Sequence, residues 1–446
     1  MASNRLSFFA LSIAQFEPAV ILGAGLMALS SATLLPFAIA MLIGLRLWHW
    51  YRNGLFMQRT PVDIPILFLL LLMPLTQWIS IKPEVTWVQV LRLVFGMVWF
   101  YAVINWANTL QRIEHIGLAL VLFGCALALA APFIVNQRGG KLPFLPDALY
   151  DWFVPIVSRT MNANVFAGTL VIIAPLAFAQ ILFGVGIRRR QVFFALAFML
   201  MALMLFISQS RGGLIAFGLN IAAMLACRAL LIINLRPILI GGRLSVLLVI
   251  LGLILAFSWQ YANLSLLLNS LLANPSLGGL DARLEIWQRA IYIIQDFAYT
   301  GIGMGMFEPV SLLLYATYVS KFDIPHAHNL FLQVAVDLGL PGFTAWFIIL
   351  IKTLQAVIQT YQWQSPSITN TSRALTVGLI GSQIALITHG LTDAVLWGVV
   401  RASPLVWLIW ALCLAHRKKT RLDSTSTSIS LESKVNAKTT RNLRNF

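Results

Sequence analysis

Two histidines and two arginines are the side chains in this sequence whose types and positions most clearly indicate chemistry. His326 and His328 lie two residues apart, directly before an apolar run of helical length. Arg211 is followed by two glycines at the end of another apolar run, and Arg283 lies in a polar stretch between runs. Histidine changes its protonation near neutral pH, and arginine binds phosphate through paired hydrogen bonds. The set favours acid–base chemistry on a substrate that carries phosphate.

The histidine pair is open to two other interpretations, a metal site and a structural pair. Asp323 and Asp337 have the chemistry of metal ligands, but no third ligand follows at a convincing spacing. A purely structural pair is also compatible with the sequence. We favour general acid–base catalysis by the histidines, and we predict neither a metal nor a cofactor.

Three further residues lie where they could support such a site. Arg92 interrupts an apolar run, where it could bind phosphate, extend to the membrane interface or pair with Asp393. Trp287 follows Arg283 by four residues, so on a helix its ring could pack against the guanidinium. Asn329 directly follows the second histidine. We assign all three a supporting role.

Two asparagines, Asn162 and Asn164, begin the sixth apolar run of the chain. Their side chains could cap a helix, or they could hydrogen-bond a sugar or a phosphate. The spacing alone does not distinguish these two roles, and we include both residues as supporting members of the site.

The composition identifies a membrane protein. Of the 446 residues, 59% are hydrophobic and only 10% are charged, whereas soluble domains have about 25% charged residues. The net charge of +16 raises the question of nucleic-acid binding, but the Lys and Arg residues lie mostly between apolar runs. That pattern is typical of cytoplasmic loops, so we predict no nucleic-acid partner. The cysteines Cys125, Cys227 and Cys413 lie inside apolar runs without paired spacing.

The apolar runs predict an all-α integral membrane protein with about twelve transmembrane helices. The predicted spans are 8–28, 32–48, 63–80, 85–106, 113–134, 163–187, 191–208, 213–234, 244–261, 330–351, 374–396 and 402–416. Alternate loops are rich in Lys and Arg, and the even number of spans then places both termini in the cytoplasm. Residues 1–416 form the membrane domain, and we expect 417–446 to be a disordered basic cytoplasmic tail.

The largest loop, 262–327, joins spans nine and ten on the outer side. Its Asp281 is a plausible N-cap, and a helix follows in which the apolar residues Leu284, Trp287, Ile291 and Ile294 recur at helical spacing. Glu285 and Arg289 form an i,i+4 pair on the same helix. The glycines of 301–305 have no preceding strand, so they predict a turn and not a dinucleotide site.

With these residues in hand, the chain resembles the O-antigen ligase and polymerase family of bacterial membrane glycosyltransferases over about residues 60–416. Four motifs in this order carry the resemblance: Asn162-Ala-Asn164, Ser210-Arg211-Gly-Gly, Asp281-Ala-Arg283-Leu-Glu-Ile-Trp287, and His328-Asn-Leu-Phe-Leu-Gln333 running into Gly339-Leu-Pro-Gly342. The resemblance implies a GT-C-like fold in the bacterial inner membrane with a periplasmic active site.

The resemblance also implies a reaction, the inverting transfer of a glycan from undecaprenyl diphosphate to an acceptor hydroxyl without a metal. By position, Arg211 and Arg283 would hold the lipid diphosphate, and His328 would be the catalytic base or its orienter, assisted by His326. The partners implied are the lipid-linked glycan, membrane lipid, and either lipid A core or a growing glycan. Ligases and polymerases share these motifs, so both activities stay open.

The alternative from another class is a flippase or transporter of lipid-linked oligosaccharides. Transporters bind substrate near the bilayer midplane. His389 and Asp393, four residues apart in the eleventh predicted span, are the observation that favours this alternative, although they could also stabilise helix packing or line an acceptor groove. Most ionisable groups lie instead at the outer edge, which favours the enzyme.

Overall fold

A computed structural model describes residues 2–54, 57–136, 148, 150–151, 153–157, 160–184, 188–233, 280–315, 324–363, 370–398, 400 and 402–422. The chain in these ranges is almost entirely helical. Its helices are α1 (Ala2–Ser30), α2 (Leu35–Asn53), α3 (Asp63–Trp78), α4 (Pro83–Trp106), α5 (Leu110–Ile134), α6 (Ala163–Phe183), α7 (Arg188–Ile207), α8 (Arg211–Ile233), α9 (Leu280–Asp296), α10 (Phe307–Leu314), α11 (Leu330–Trp363), α12 (Asn370–Gly390) and α13 (404–422).

The prediction of an all-α membrane protein is confirmed. Within the described ranges, seven helices are long and apolar enough to cross a membrane, and the shorter helices Phe16–Ser30 and Asp63–Trp78 are also apolar. The total of about twelve spans stays a prediction, because the ninth, 244–261, lies outside the described residues. The described strands are β1 (Val135–Asn136) and β2 (Met161–Asn162), which pair in parallel just before α6.

Helix α6 forms the centre of the bundle and packs most extensively against α12. It is apolar around its whole circumference, as expected for a helix with protein on all sides. Glycines on α12 allow the two backbones to approach closely. A Cβ atom added at Gly378 would lie 3.1 Å from Leu176 Cα, and small residues are typical of such contacts in membranes.

The predicted glycine turn at 301–305 is confirmed, and it connects the outer loop to the bundle. Gly301, Gly303 and Gly305 all have positive φ angles, which glycine adopts readily. The turn is fixed by hydrogen bonds to α3 and α4: Met304 N–H donates to Thr76 Oγ1 (3.1 Å), and Thr86 Oγ1 donates to Met304 O (2.8 Å). The loop is therefore held rigidly against α3 and α4.

Helix α11 is broken at Gly339, where φ is 67° and ψ is 177°. Only glycine commonly adopts this conformation. The break lets Leu340 N–H donate to Ala298 O at 2.7 Å, so the end of α9 docks against α11. A Cβ atom at residue 339 would lie 2.8 Å from the carbonyl carbon of Tyr299.

We expect Gly339→Ala to lower the thermal unfolding temperature in detergent, because both the backbone angle and the contact with Tyr299 oppose a side chain. The expected cost is about 1–3 kcal/mol. Gly44→Ala is the matched control, since it lies inside α2 and a Cβ there meets nothing within 4 Å. That variant should keep or raise the unfolding temperature. Equal losses in the two variants would contradict the role assigned to the break.

The outer loop departs from the prediction in three ways. The described part of helix α9, Leu280–Asp296, includes Asp281, so Asp281 lies inside the helix and is not its N-cap. A second helix, α10, follows the glycine turn and was not predicted. The buried face of α9 is also different: Ile286, Ala290 and Ile293 are buried, whereas the predicted Leu284 and Ile291 are 38% and 44% exposed.

The physical reason is that apolar residues occur on more than one face of α9. The face that is buried is therefore chosen by its neighbours. The selected face packs against apolar side chains of the glycine turn, α10 and the histidine segment, namely Ile302, Met306, Phe307, Val310 and Ala327. These partners come after α9 in the chain, so the spacing of apolar residues within α9 cannot identify them.

Residues 417–422, which were predicted to belong to a disordered tail, are helical. Helix α13 continues through residue 422, and Thr420 is buried. Residues 423–446 lie outside the described residues.

Candidate active site

The two histidines lie in a short segment fixed at the start of α11. Asn329 caps this helix: its Oδ1 accepts hydrogen bonds from the N–H groups of Phe331 (3.0 Å) and Leu332 (3.1 Å). Its Nδ2 donates to Leu391 O at 3.3 Å, which joins the segment to the end of α12. His328 has a φ of 46°, a left-handed conformation that is uncommon outside glycine.

Asp393 meets both histidines. His328 Nδ1 lies 3.2 Å from Asp393 Oδ1, and His326 Nε2 lies 3.6 Å from the same oxygen. Asp393 follows α12 in the segment 391–398 and is 3% exposed. The side chain of His328 is 26% exposed, so it is the more accessible of the two rings.

The hydrogen bonds assign a tautomer to each ring when it is neutral. His328 donates from Nδ1 to Asp393, which leaves His328 Nε2 with a free lone pair. His326 accepts from the backbone N–H of His328 at its Nδ1 (3.2 Å), so its proton is on Nε2 and faces Asp393. The carboxylate thus orients His328 as a base, in the manner of a histidine–aspartate pair.

The protonation states agree with this assignment. Burial lowers the pKa of His326 to about 4, and the opposing charge of Asp393 does not offset it, so His326 is neutral at pH 7. Burial by itself would raise the pKa of Asp393, but the hydrogen bond from His328 and interactions with the surrounding histidine rings outweigh it. The pKa of Asp393 lies well below its usual range.

Arg283 brings positive charge to the same place. Burial lowers the pKa of its guanidinium, nearby Asp393 raises it, and nearby Arg211 lowers it again. Both residues therefore lie within electrostatic range of Arg283. The two arginines come from different elements, since Arg283 lies in the first turn of α9 and Arg211 is the first residue of α8. The structure thus places Arg283 within electrostatic range of both Arg211 and Asp393, the carboxylate that meets the two histidines.

The turn that carries Arg211 is held tightly. Gln209 before it has a φ of 52°, and its Nε2 donates to the hydroxyl of Tyr150. Tyr150 in turn donates to Ile207 O at 3.0 Å. On the other side, a Cβ atom added at Gly212 would lie 2.2 Å from Thr392 Oγ1, so the turn packs directly against the segment that carries the carboxylate.

Trp287 and Arg289 take different positions on α9. The indole N–H of Trp287 donates to His328 O at 3.4 Å, so this ring supports the histidine backbone. Arg289 pairs with Glu285, as predicted, and its Nη1 donates to Ser311 Oγ of α10 at 3.3 Å. Arg289 thus connects the two helices of the loop.

The remaining predicted residues have structural contacts. Arg92 Nη1 donates to Gly398 O at 3.2 Å, so it binds the 391–398 segment. A cavity beside Arg92 is lined by Trp397 and Trp407. Asn162 is the N-cap of α6, with its side chain accepting from Asn164 N–H at 2.8 Å. For Asn162 the structure therefore shows the capping role that the sequence left open.

The geometry also bears on metal binding. The ligand atoms of His326, His328 and Asp393 lie within 4.8 Å of one another, a spacing that could hold a metal ion. Asp337, considered above as a ligand, is instead engaged by three donors: Gly305 N–H (3.1 Å), Gln333 Nε2 (2.9 Å) and Trp397 Nε1 (2.8 Å). Asp323 lies outside the described residues.

The role of Asp393 beside the histidines was missed from the sequence. It lies 65 residues after His328, so no spacing rule connects the two. The signal that existed was the ionisable pair His389 and Asp393 in an otherwise apolar stretch. That signal pointed to a functional site but not to its histidine partners.

Comparison with known proteins agrees with the motifs. A family model described as O-antigen ligase matches residues 196–347, about a third of the chain, and confirms the resemblance stated above. The matched region contains Arg211, Arg283 and both site histidines, whereas Asp393 lies after it. No curated protein matches the chain. The match and the apolar helices together support a multi-pass protein of the bacterial inner membrane, of the ligase or polymerase type.

Proposed function

We propose that this relative of the O-antigen ligases transfers a glycan from undecaprenyl diphosphate to an acceptor sugar hydroxyl, with inversion at the anomeric carbon. The observation that carries the proposal is the His328–Asp393 pair, joined at 3.2 Å within electrostatic range of Arg283. Such a site offers an oriented base and fixed positive charge together. We place it on the periplasmic face, with both termini cytoplasmic, because the Lys-rich and Arg-rich loops alternate accordingly.

In the proposed reaction, His328 Nε2 accepts the proton of the acceptor hydroxyl as its oxygen attacks C1 of the donor sugar. A new C1–O bond forms to the acceptor while the C1–O bond to the diphosphate breaks. Undecaprenyl diphosphate leaves with the electron pair of that bond. Asp393 stabilises the imidazolium that His328 becomes, and the proton passes later to solvent, to which His328 is partly open.

The leaving diphosphate gains negative charge where water is scarce, so it requires positive groups already in place. Arg211 and Arg283 supply these groups from two helices. Arginine stays charged even when buried and holds two phosphate oxygens at once. In this mechanism no metal is needed, and His326, Asn329 and Trp287 position the base.

The arrangement favours an enzyme over the transporter alternative. Asp393, half of the pair that suggested a transporter, lies beyond the end of α12 and is engaged by the histidine segment. Carboxylates in transporter sites lie near the bilayer midplane. Ligase and polymerase activities would use the same residues and differ in the acceptor.

The test is reconstitution of the purified protein in liposomes with an undecaprenyl-diphosphate-linked oligosaccharide, with and without lipid A core, in EDTA. We expect product mass to show glycan on the core for a ligase, or a longer glycan on the carrier lipid for a polymerase. Activity that EDTA removes and Zn²⁺ or Mg²⁺ restores would favour the metal site at Asp393 instead. Donor that crosses the bilayer without any transfer would overturn the proposal.

A further inference from the structure

His389 is a buried titratable residue that the proposed mechanism does not use. It lies in the last turn of α12 and is 1% exposed. Neither of its ring nitrogens has a hydrogen-bond partner among the described residues. A buried polar group without a partner costs about 1–3 kcal/mol, and most such groups bind another group or an ordered water. We therefore expect the His389 ring to have a hydrogen-bond partner.

The residues around His389 limit where that partner can lie. On one side, α6 closes against the ring: a Cβ atom at Gly168 would lie 2.9 Å from His389 Cε1. On the other side, the chain turns from His389 directly into the active site, because His389 O accepts from the N–H groups of Thr392 (3.0 Å) and Asp393 (2.9 Å). Among the residues that the structure describes, the charged and titratable groups near this turn are Asp393, Arg283, Arg211, His326 and His328.

Asp393 has one oxygen available for such a partner. Oδ1 takes every contact described for this carboxylate: His328 Nδ1, His326 Nε2 and the N–H of Ala394 (2.9 Å). Oδ2 takes none of these contacts. His389 lies four residues before Asp393 and within electrostatic range of it.

We propose that His389 is a positioning residue that holds Asp393 Oδ2 through one buried water molecule. The water would accept the one N–H of the neutral His389 ring and donate to Oδ2, giving that ring nitrogen and Oδ2 a partner. Fixing Oδ2 keeps Oδ1 directed at His328 and so keeps Nε2 of His328 free to take a proton. This inference rests on the proposed function, because it gives His389 a part in orienting the base.

The kinetic test compares three substitutions in the reconstituted full-length protein. His389→Leu removes both nitrogens, whereas His389→Asn and His389→Gln return an amide N–H near the positions of Nδ1 and Nε2. We expect His389→Leu to lower kcat by about 10- to 100-fold, as is typical of residues that orient a functional group through another. KM for the lipid-linked donor should stay unchanged, and one of the two amides should restore most of kcat.

Unchanged kcat in His389→Leu would overturn the proposal. So would equal losses in all three variants together with a lower unfolding temperature, since that result describes packing alone. Asp393→Asn is the comparator that separates the two claims. If it abolishes transfer while His389→Leu does not, the proposed function stands and the role of His389 fails.

A second measurement does not depend on activity. Magic-angle-spinning NMR of protein labelled with ¹⁵N-histidine assigns the His389 signals by their loss in His389→Gln. We expect a cross-peak between a His389 ring N–H and water protons that do not exchange with bulk solvent on the same timescale. Absence of that cross-peak in the wild-type protein would refute the bridging water, whatever the transfer assay shows.

Discussion

His328→Ala is expected to lower the rate of glycan transfer by about 10²- to 10⁴-fold, the usual contribution of a positioned general base. The substitution removes Nε2, which the hydrogen bond of Nδ1 to Asp393 leaves free to accept a proton. KM for the donor should change little, because Arg211 and Arg283 still bind the diphosphate. The measurement is kcat and KM for the lipid-linked donor in liposomes, with product identified by mass.

The matched control is His115→Ala, since His115 is an exposed histidine near the start of α5. It should leave both constants unchanged. The interpretation of His328 as the base would be wrong if its alanine variant kept kcat within a few fold. A raised KM with normal kcat would instead describe a residue that only binds substrate.

Arg283→Lys is expected to lower kcat by about 10²- to 10³-fold, the typical effect of removing one donor that stabilises developing charge. Lysine keeps the positive charge but lacks the planar pair of N–H donors that binds two diphosphate oxygens at once. The comparison therefore separates the effect of bidentate hydrogen bonding from the effect of charge. Protein abundance and unfolding temperature are measured alongside kcat, because Arg283 is partly buried.

Arg289→Lys is the control on the same helix. Arg289 is more deeply buried than Arg283, and it pairs with Glu285 of the same helix and contacts Ser311 of α10. A lysine there should keep the ion pair and nearly full activity. If Arg283→Lys kept full activity as well, the guanidinium would not be a diphosphate ligand.

The sequence was sufficient to predict the membrane class, and the site residues that it proposes lie in local motifs. Arg211, Arg283 and His328 each belong to a short pattern with a nearby glycine, tryptophan or asparagine, and the structure brings His328 into contact with Asp393 and Arg283 within electrostatic range of it. A local sequence pattern predicts the structure and chemistry of the segment that contains it. Each of these three segments is a turn or a helix end whose chemistry is visible in a few residues.

Features that depend on distant partners were not predictable in the same way. The contact between His328 and Asp393 exists because Asn329 binds Leu391 O and because Gly212 allows α8 to approach Thr392. Neither contact produces a periodic pattern in the sequence. The buried face of α9 was predicted wrongly for the same reason, since Ile286 and Ala290 face partners that come from later in the chain.

Asp393 has a further consequence for how the protein is made. Membrane chains emerge and fold from the amino terminus, so the turn of Arg211 is in place well before residues 391–422 are synthesised. The left-handed backbones of Gln209 and His328 are costly for an isolated segment and persist only when surrounding helices hold them. A nascent chain that has inserted only as far as α11 therefore lacks Asp393, the carboxylate that contacts His328. In the mechanism proposed above, glycan transfer thus becomes possible only after the last part of the chain has been synthesised.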